Sequence, residues 1–183
     1  MTKPVSGEPE RAILFVGMLA GGDALLSEAE GMLVAEYGEA LGVSRTWPFD
    51  HTDYYEREMG PGLSRRFVAF GELAPQERLR EIKLRTIEME AAIAAEHAGG
   101  HARPVNLDPG LLRIESVVLA STKVSDHRVY LGGGVHAELT LIYEKGGWRP
   151  LPWTFPDFRA PTYHAYLSEL REELKRLRKG GAS

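Results

Sequence analysis

The stretch AILFVGML, residues Ala12–Leu19, anchors the fold because eight successive residues carry no polar side chain. The acids Glu8 and Glu10 precede it, and an amphipathic helical pattern begins at Asp23, so it does not fit the core of a signal peptide. A short apolar run bounded by turn signals is typical of a buried strand. We therefore predict that the domain begins with a buried strand.

Five further elements follow in the order of a split βαβ core. They are a helix from Asp23, its N-cap, to Tyr37, strands at Leu41–Phe49 and Leu63–Phe70, a helix from Pro75 to about His97, and a strand at Pro104–Leu107. Apolar residues at helical spacing indicate the helices, and aromatic and β-branched residues between turn signals indicate the strands. The order β-α-β-β-α-β predicts an α+β protein with a ferredoxin-like core. Its four strands should share one mainly antiparallel sheet, with both long helices against one face.

The rest of the chain predicts an appended hairpin and a C-terminal helix. The sequence Asp108-Pro109-Gly110 is typical of a turn, and a long strand should follow it at Leu111–Ser121. Glycines 132–134 predict the turn of a hairpin. The last two segments are an irregular proline-rich connection, Trp148–Pro161, and an amphipathic helix, Thr162–Lys179.

Composition fits one globular domain. The chain has 183 residues, of which 43% are hydrophobic and 26% charged, so it is long enough to bury a core. We predict that residues 1–10 form a flexible N-terminal segment and that residues 11–183 form a single α+β domain.

Charge and cysteine content narrow the classes of partner. A net charge of −4 argues against general nucleic-acid binding, which needs a basic surface. No apolar run approaches the roughly 20 residues that span a bilayer, so no membrane insertion is expected. The absence of cysteine excludes disulfides and thiolate sites and fits a reducing cytoplasm. We expect a cytoplasmic protein in which any metal is held by Asp, Glu or His.

The stretch WPFDHTDYYEREMG, Trp47–Gly60, connects two predicted strands and is rich in acids and tyrosines. Asp53 followed by Glu56 fits the capping box of a short helix that ends at Gly60, which is a purely structural role. That role leaves Tyr55 and its polar neighbours unassigned. We therefore predict that this connection closes over a ligand site. The face it should cover carries Arg128, Tyr130 and Glu138.

Polar residues interrupt the apolar face of the second long helix. On a helical wheel Lys83, Thr86 and Glu90 fall within the apolar arc. Burying a charge is costly unless it is paired. Lys83 should therefore snorkel, pair with an acid such as Glu90, or point into a polar cavity, and the pattern leaves these three roles open.

Two more groups of polar residues are candidate ligand contacts. Asn106 and Asp108 are two residues apart, so in an extended segment they share one face and could bind one ligand or metal, although Asp108 also suits a turn. If the glycine turn is a three-residue loop that pairs Leu131 with Val135, then Arg128 faces Glu138. That pair is either a solvated ion pair or part of an anion site. The preceding loop adds Lys123 and His127 to it.

The chain resembles DUF4416, a bacterial family of unknown function whose members often carry the label "GTP-binding protein". The resemblance rests on PFDHTDYY with EMG after it, on VNLDPG, and on LASTK followed by HRVYL and AELTLIY, and it spans Ala12 to Arg159. No G-x-x-x-x-G-K-[ST] loop supports the GTP label. We expect any anion site to lie at the Lys123–Arg128 loop and not at the Gly21-Gly22 turn, because only the former brings cations.

The leading functional hypothesis is a protein that binds a phosphate-containing small molecule, such as a nucleotide. One alternative is a non-catalytic interaction module that presents the segment WRPLPWTFP. Another is a phosphoryl or nucleotidyl transfer enzyme in which Asp53, Asp108 or Glu138 holds Mg²⁺. The candidate ligand-binding residues are Asp53, Tyr55, Lys83, Asn106, Asp108, Lys123, His127, Arg128 and Glu138.

Overall fold

The computed structural model describes residues 10–50, 52 and 54–180. The predicted flexible segment at residues 1–10 therefore lies outside the described residues, apart from Glu10, and so does Asp53. The helices are α1 (Asp23–Tyr37), α2 (Glu56–Met59), α3 (Leu79–Glu96) and α4 (Pro161–Gly180). The strands are β1 (Arg11–Ala20), β2 (Ala40–Val43), β3 (Trp47–Pro48), β4 (Ser64–Phe70), β5 (Ala74–Pro75), β6 (Val105–Leu112), β7 (Ser116–Ser121), β8 (Val129–Gly132), β9 (Val135–Glu144) and β10 (Gly147–Pro150).

All these strands belong to one antiparallel sheet, so the predicted α+β class is confirmed. The main order is β10-β9-β7-β6-β1-β4-β2, and the short strands β3, β5 and β8 pair with β4, β1 and β9. The four strands of the predicted core, β1, β2, β4 and β6, are adjacent in it. The sheet is larger than predicted because β7, β9 and β10 continue it beyond β6. No helix in the described part of the chain combines the length and the apolar character that crossing a bilayer requires.

Strand β1 lies inside the sheet with helices on both of its faces, which explains its uninterrupted apolar sequence. Leu14, Val16 and Met18 pack with residues of α1 and α3, whereas Ile13 and Phe15 pack with residues of α4. Both long helices of the predicted core therefore lie against one face, and α4 covers part of the other. The result is three layers with a core on each face of the sheet, and a third, smaller cluster forms around Leu19, Phe49, Met59 and Leu63.

The predicted turn at Asp108-Pro109-Gly110 is wrong, because β6 runs straight through these residues. Each pairs with β1, with Asp108 opposite Gly17 and Gly110 opposite Phe15. The chain instead turns after β6, where the Arg113 N–H donates to the Ser116 carbonyl at 2.8 Å. A proline is tolerated at position 109 because its missing N–H breaks no ladder hydrogen bond. An N–H there would point away from β1, as that of Leu107 does, and would meet no strand partner.

The ladder between β6 and β7 is short. It covers only Gly110–Leu112 of β6, and Leu107 has no partner on β7. Its N–H instead donates to the Glu90 carboxylate at 2.7 Å, and its carbonyl accepts from the Lys83 ammonium at 2.7 Å. Two side chains of α3 thus take the place of a neighbouring strand, which explains why polar residues lie on the apolar face of this helix.

Several predicted boundaries shift for local reasons. Helix α1 spans the predicted residues, but its N-cap is Gly22, and Asp23 is a first-turn acid that pairs with Arg66 at 2.8 Å. The predicted strand Leu41–Phe49 is split into β2 and β3. A 3₁₀ turn at Gln76–Arg78 precedes α3, so the helix begins four residues later than predicted.

The hairpin also differs by one residue from the prediction. Gly132, not Leu131, pairs with Val135, and Leu131 is left over as a bulge. The turn is therefore two residues long, and Gly133 and Gly134 adopt the positive φ angles that such turns require. Beyond the bulge Tyr130 pairs with His136, and the predicted proximity of Arg128 to Glu138 is confirmed by their 2.6 Å contact. In the predicted irregular segment Trp148–Pro161, the first residues belong to β10.

Candidate functional site

A cleft of about 570 Å³ opens on the same face of the sheet as α4, in the part that this helix does not cover, at the point where β6 and β7 separate. Its floor is formed by neighbouring strands of the sheet. Glu138 on β9 pairs with Leu119 on β7, and Leu119 pairs with Gly110 on β6. Asp108 is two residues from Gly110 and so projects from the same face. The walls come from the connection before α2 and from the segment after β10.

Seven of the nine predicted site residues line this cleft. They are Tyr55, Lys83, Asn106, Asp108, Lys123, Arg128 and Glu138. His127 does not line it but lies behind Glu138, with its Nε2 atom 2.9 Å from Glu138 Oε2. Asp53 lies outside the described residues. The structure thus brings together side chains from α3, from two strands and from two loops.

Arg65 on β4 is a central member of the site that the sequence prediction missed. It is buried, and its guanidinium reaches across β1 to Asp108 on β6 (Nη1–Oδ2, 3.3 Å) and also contacts Asp157 (Nη2–Oδ2, 3.5 Å). It crosses β1 at Gly17, where a Cβ atom would lie only 3.0 Å from its Nη1. The missing side chain at Gly17 therefore leaves the opening through which Arg65 reaches Asp108. The signal in the sequence is that Arg65 alternates with the apolar Phe67 and Ala69.

Asp108 is held as an ionised acceptor in the floor of the cleft. Besides Arg65, it accepts a hydrogen bond from Asn106 Nδ2 at 2.6 Å, and the Lys83 ammonium lies 3.7 Å from its Oδ1. Burial by itself would raise the pKa of Asp108, but Lys83, Arg65 and the Asn106 hydrogen bond outweigh it, so the pKa lies below its ordinary value. About a quarter of the side chain (26%) is exposed, which leaves it accessible.

A second set of buried charges supports Asn106 from the side of α3. Arg103 donates to Glu90 at 2.9 Å and to the side-chain oxygen of Asn106. Burial raises the pKa of Glu90, while Lys83 and Arg103 act in the opposite direction. Arg103 itself has no sequence signal, because it lies in a polar connection.

Glu138 is almost completely buried, and among the described residues only one of its oxygens has hydrogen-bond partners. Its Oε2 accepts from Arg128 Nε at 2.6 Å and contacts His127, whereas Oε1 has no hydrogen bond. The His127 ring is fixed in turn by stacking on Trp153 at 5.1 Å and by a 2.9 Å contact between its Nδ1 and Ser125 Oγ. Glu138 is therefore rigidly oriented.

The connection before α2 meets the β7–β8 loop across the mouth of the cleft. The Lys123 ammonium lies 4.0 Å from the centre of the Tyr54 ring and 5.3 Å from that of Tyr55, within cation–π range. Burial, with a smaller contribution from Asp108, raises the pKa of Tyr55 to about 12. Both tyrosines thus line the cleft together with Arg128 and Glu138, and the role of this connection in covering a ligand stays a prediction. Tyr130 does not line the cleft and is largely exposed beside His136.

The carboxylates of the cleft are arranged differently from a metal site. Within the described residues, no group of three or more His, Asp or Glu side chains is placed to hold an ion. Asp108 and Glu138 are each neutralised by an arginine, which leaves little negative charge for Mg²⁺. A magnesium site that includes Asp53 stays a prediction.

We predict that Gly17→Ala destabilises the fold by about 1–3 kcal/mol, because the new methyl group would lie 2.9 Å from Phe67 and 3.0 Å from Arg65. The matched control is Gly31→Ala on α1, where no atom lies within 4 Å of the new group. That change should stabilise by about 0.5–1 kcal/mol, because alanine favours helices. Urea unfolding measures both. Equal effects of the two substitutions would show that Arg65 does not need the opening at Gly17.

The stability of the protein should depend on the ionisation of Asp108. Its folded pKa lies below the ordinary value of 3.8, so its contribution is complete above that value and disappears as the pH falls through the folded pKa. At neutral pH, Asp108→Asn should lower the free energy of unfolding by roughly 1.5–3 kcal/mol, the range for hydrogen bonds to a charged group. This difference from wild type should shrink below about pH 4. Urea titrations across the acid range test this, and a pH-independent difference would contradict it.

Comparison with known proteins identifies the family of the chain but no function. Residues 10–174 match the model described as Domain of unknown function (DUF4416), which covers most of the 183 residues. No curated protein and no solved structure matches the chain. The protein belongs to the DUF4416 family.

Proposed function

We propose that the protein binds a small phosphate-containing molecule, of the size of a nucleotide, in the cleft between β6 and β7. The cleft volume of about 570 Å³ lies within the range of known small-molecule sites, roughly 300–1,000 Å³. Its walls are rich in aromatic residues, and its floor carries fixed charges, a combination typical of ligand pockets.

The observation that carries this proposal is the uncompensated charge of Lys123. Among the described lining residues, the other cations contact at least one carboxylate, namely Arg65, Lys83, Arg103 and Arg128. The Lys123 ammonium has no ion pair within the described chain and lies against the Tyr54 ring. Arg128 is adjacent, because its Nη1 donates to the Lys123 carbonyl at 2.9 Å. An anion at Lys123 would supply the missing countercharge.

Aromatic side chains at the mouth favour a ligand that also has a planar ring. Tyr54 and Phe155 line the cleft, and 63% and 41% of their surfaces are exposed. Nucleobases stack on such rings with about 1–3 kcal/mol per base. This supports a nucleotide in preference to inorganic phosphate alone.

The interaction module is supported less well. In the proline-rich segment Trp148, Leu151 and Phe158 are buried, whereas Trp153 and Phe155 retain substantial exposure. Trp153 also stacks on His127 and donates to the Leu139 carbonyl at 2.8 Å. The segment therefore contributes mainly to its own domain. Magnesium-dependent transfer chemistry stays an open alternative, because Asp53 would have to take part.

Two broader expectations belong to the same proposal. A cytoplasmic location is supported by the absence of cysteine, and the net charge of −4 opposes general nucleic-acid binding. A ferredoxin-like split core is supported by the adjacent order β6-β1-β4-β2, in which all neighbours are antiparallel.

The test is a thermal-shift screen of inorganic phosphate, pyrophosphate and nucleoside mono-, di- and triphosphates, each with and without Mg²⁺. We expect at least one compound, present at about a hundred times its Kd, to raise the Tm of wild type by about 5–10 °C. Lys123→Ala should weaken that compound about tenfold, because it removes the cation that has no ion pair among the described residues of the cleft. Lys179→Ala, which changes a lysine near the end of α4, is the matched control and should have no effect.

Lys123 is the better target than Arg128, whose removal would leave Glu138 buried without its arginine. Two results would contradict the proposal. One is that no compound stabilises wild type, and the other is that Lys123→Ala binds as wild type does. A shift seen only with Mg²⁺ would favour the transfer-enzyme alternative.

A further inference from the structure

Two carboxylates of the cleft share an unusual arrangement, in which one oxygen is fixed and the other lacks a hydrogen bond. Asp108 Oδ2 accepts from Asn106 at 2.6 Å and from Arg65 at 3.3 Å, whereas Oδ1 only lies 3.7 Å from Lys83 Nζ. Glu138 Oε2 accepts a hydrogen bond from Arg128, whereas no side chain or backbone group of the described residues donates to Oε1. The two free oxygens belong to side chains that line the same cleft.

The unpaired oxygen of Glu138 calls for an explanation because it is buried, whereas Asp108 is partly exposed and its Oδ1 can meet solvent. A buried polar atom without a hydrogen bond costs about 1–3 kcal/mol, and nearly all such atoms in folded proteins have partners. Only 2% of the Glu138 side chain is exposed, so bulk water does not satisfy it. The fixed oxygens hold both carboxylates in place, so their free oxygens are preorganised to accept hydrogen bonds from a bound molecule.

We propose that Asp108 and Glu138 select the ligand of this cleft by accepting hydrogen bonds from its hydroxyl or amino groups. The ligand class is then a phosphate compound with neutral donors, such as a nucleotide or a sugar phosphate. Cationic donors are excluded because Arg65, Lys83 and Arg128 adjoin these carboxylates. This inference rests on the proposed function, in which Lys123 receives the anionic group.

The sharpest variant is Glu138→Gln, because it exchanges an acceptor for a donor without changing shape. Arg128 can only donate, so the amide oxygen must take the place of Oε2 and the NH₂ group must take that of Oε1. The altered group should repel a ligand donor. Glu144→Gln, on the same strand but with an exposed side chain, is the matched control.

The experiment measures the affinities of pyrophosphate, ribose 5-phosphate and the four common nucleoside monophosphates by calorimetry. We expect wild type to bind at least one of the organic compounds about tenfold or more tightly than pyrophosphate. Glu138→Gln should abolish this preference without weakening pyrophosphate, because the substitution removes a negative charge beside Arg128 and so cannot disfavour an anion. Glu144→Gln should retain the preference.

A second measurement needs no variant at this site. It compares the tightest compound with analogues that lack either its sugar hydroxyls or its base amino group. Deleting the donor that binds Asp108 or Glu138 should weaken binding to wild type about tenfold. This separates sugar from base recognition. If neither deletion weakens binding, or if Glu138→Gln keeps the preference, the inference is overturned. If the inference fails but Lys123→Ala still weakens binding, the proposed function stands. If binding does not depend on Lys123, both the inference and the proposed function are overturned.

Discussion

The site depends on how the backbone of one residue, Leu107, is satisfied. Its N–H and carbonyl point away from β1, and no strand in the described part of the chain pairs with them there. Glu90 and Lys83 bind them from α3, each at 2.7 Å. Because these side chains replace a strand, β6 and β7 can separate without leaving buried backbone groups unpaired. The separation is what opens the cleft within a continuous sheet.

A chain of charges then makes the opened region rigid. Arg65 crosses the gap at Gly17 to reach Asp108, which also lies near Lys83 from the other face of the sheet. Strands β4, β1 and β6 and helix α3 are thereby tied together at the floor. Such buried pairs add little net stability, because desolvation offsets their attraction. Their effect here is to fix the direction of each acceptor, while Lys123 supplies charge at the mouth.

The sequence indicated the site better than it indicated the chain path around it. Lys83 was recognisable because a charge on an apolar helix face needs a partner, and the same reasoning applied to alternate strand residues would have found Arg65. The path through Asp108-Pro109-Gly110 was predicted wrongly, because local turn preference was outweighed by pairing with β1. Asp157 could not be predicted as a member, since only the tertiary fold brings the proline-rich segment to Arg65.

Amide hydrogen exchange of Leu107 in the native protein tests the central claim most directly. If Glu90 replaces a strand, the Leu107 amide should exchange as slowly as that of Leu111, which lies in the ladders with both β1 and β7. Two-dimensional NMR after transfer to heavy water resolves the two amides. Fast exchange at Leu107 beside a protected Leu111 would show that α3 does not complete the sheet, and would contradict the account of how the cleft is formed.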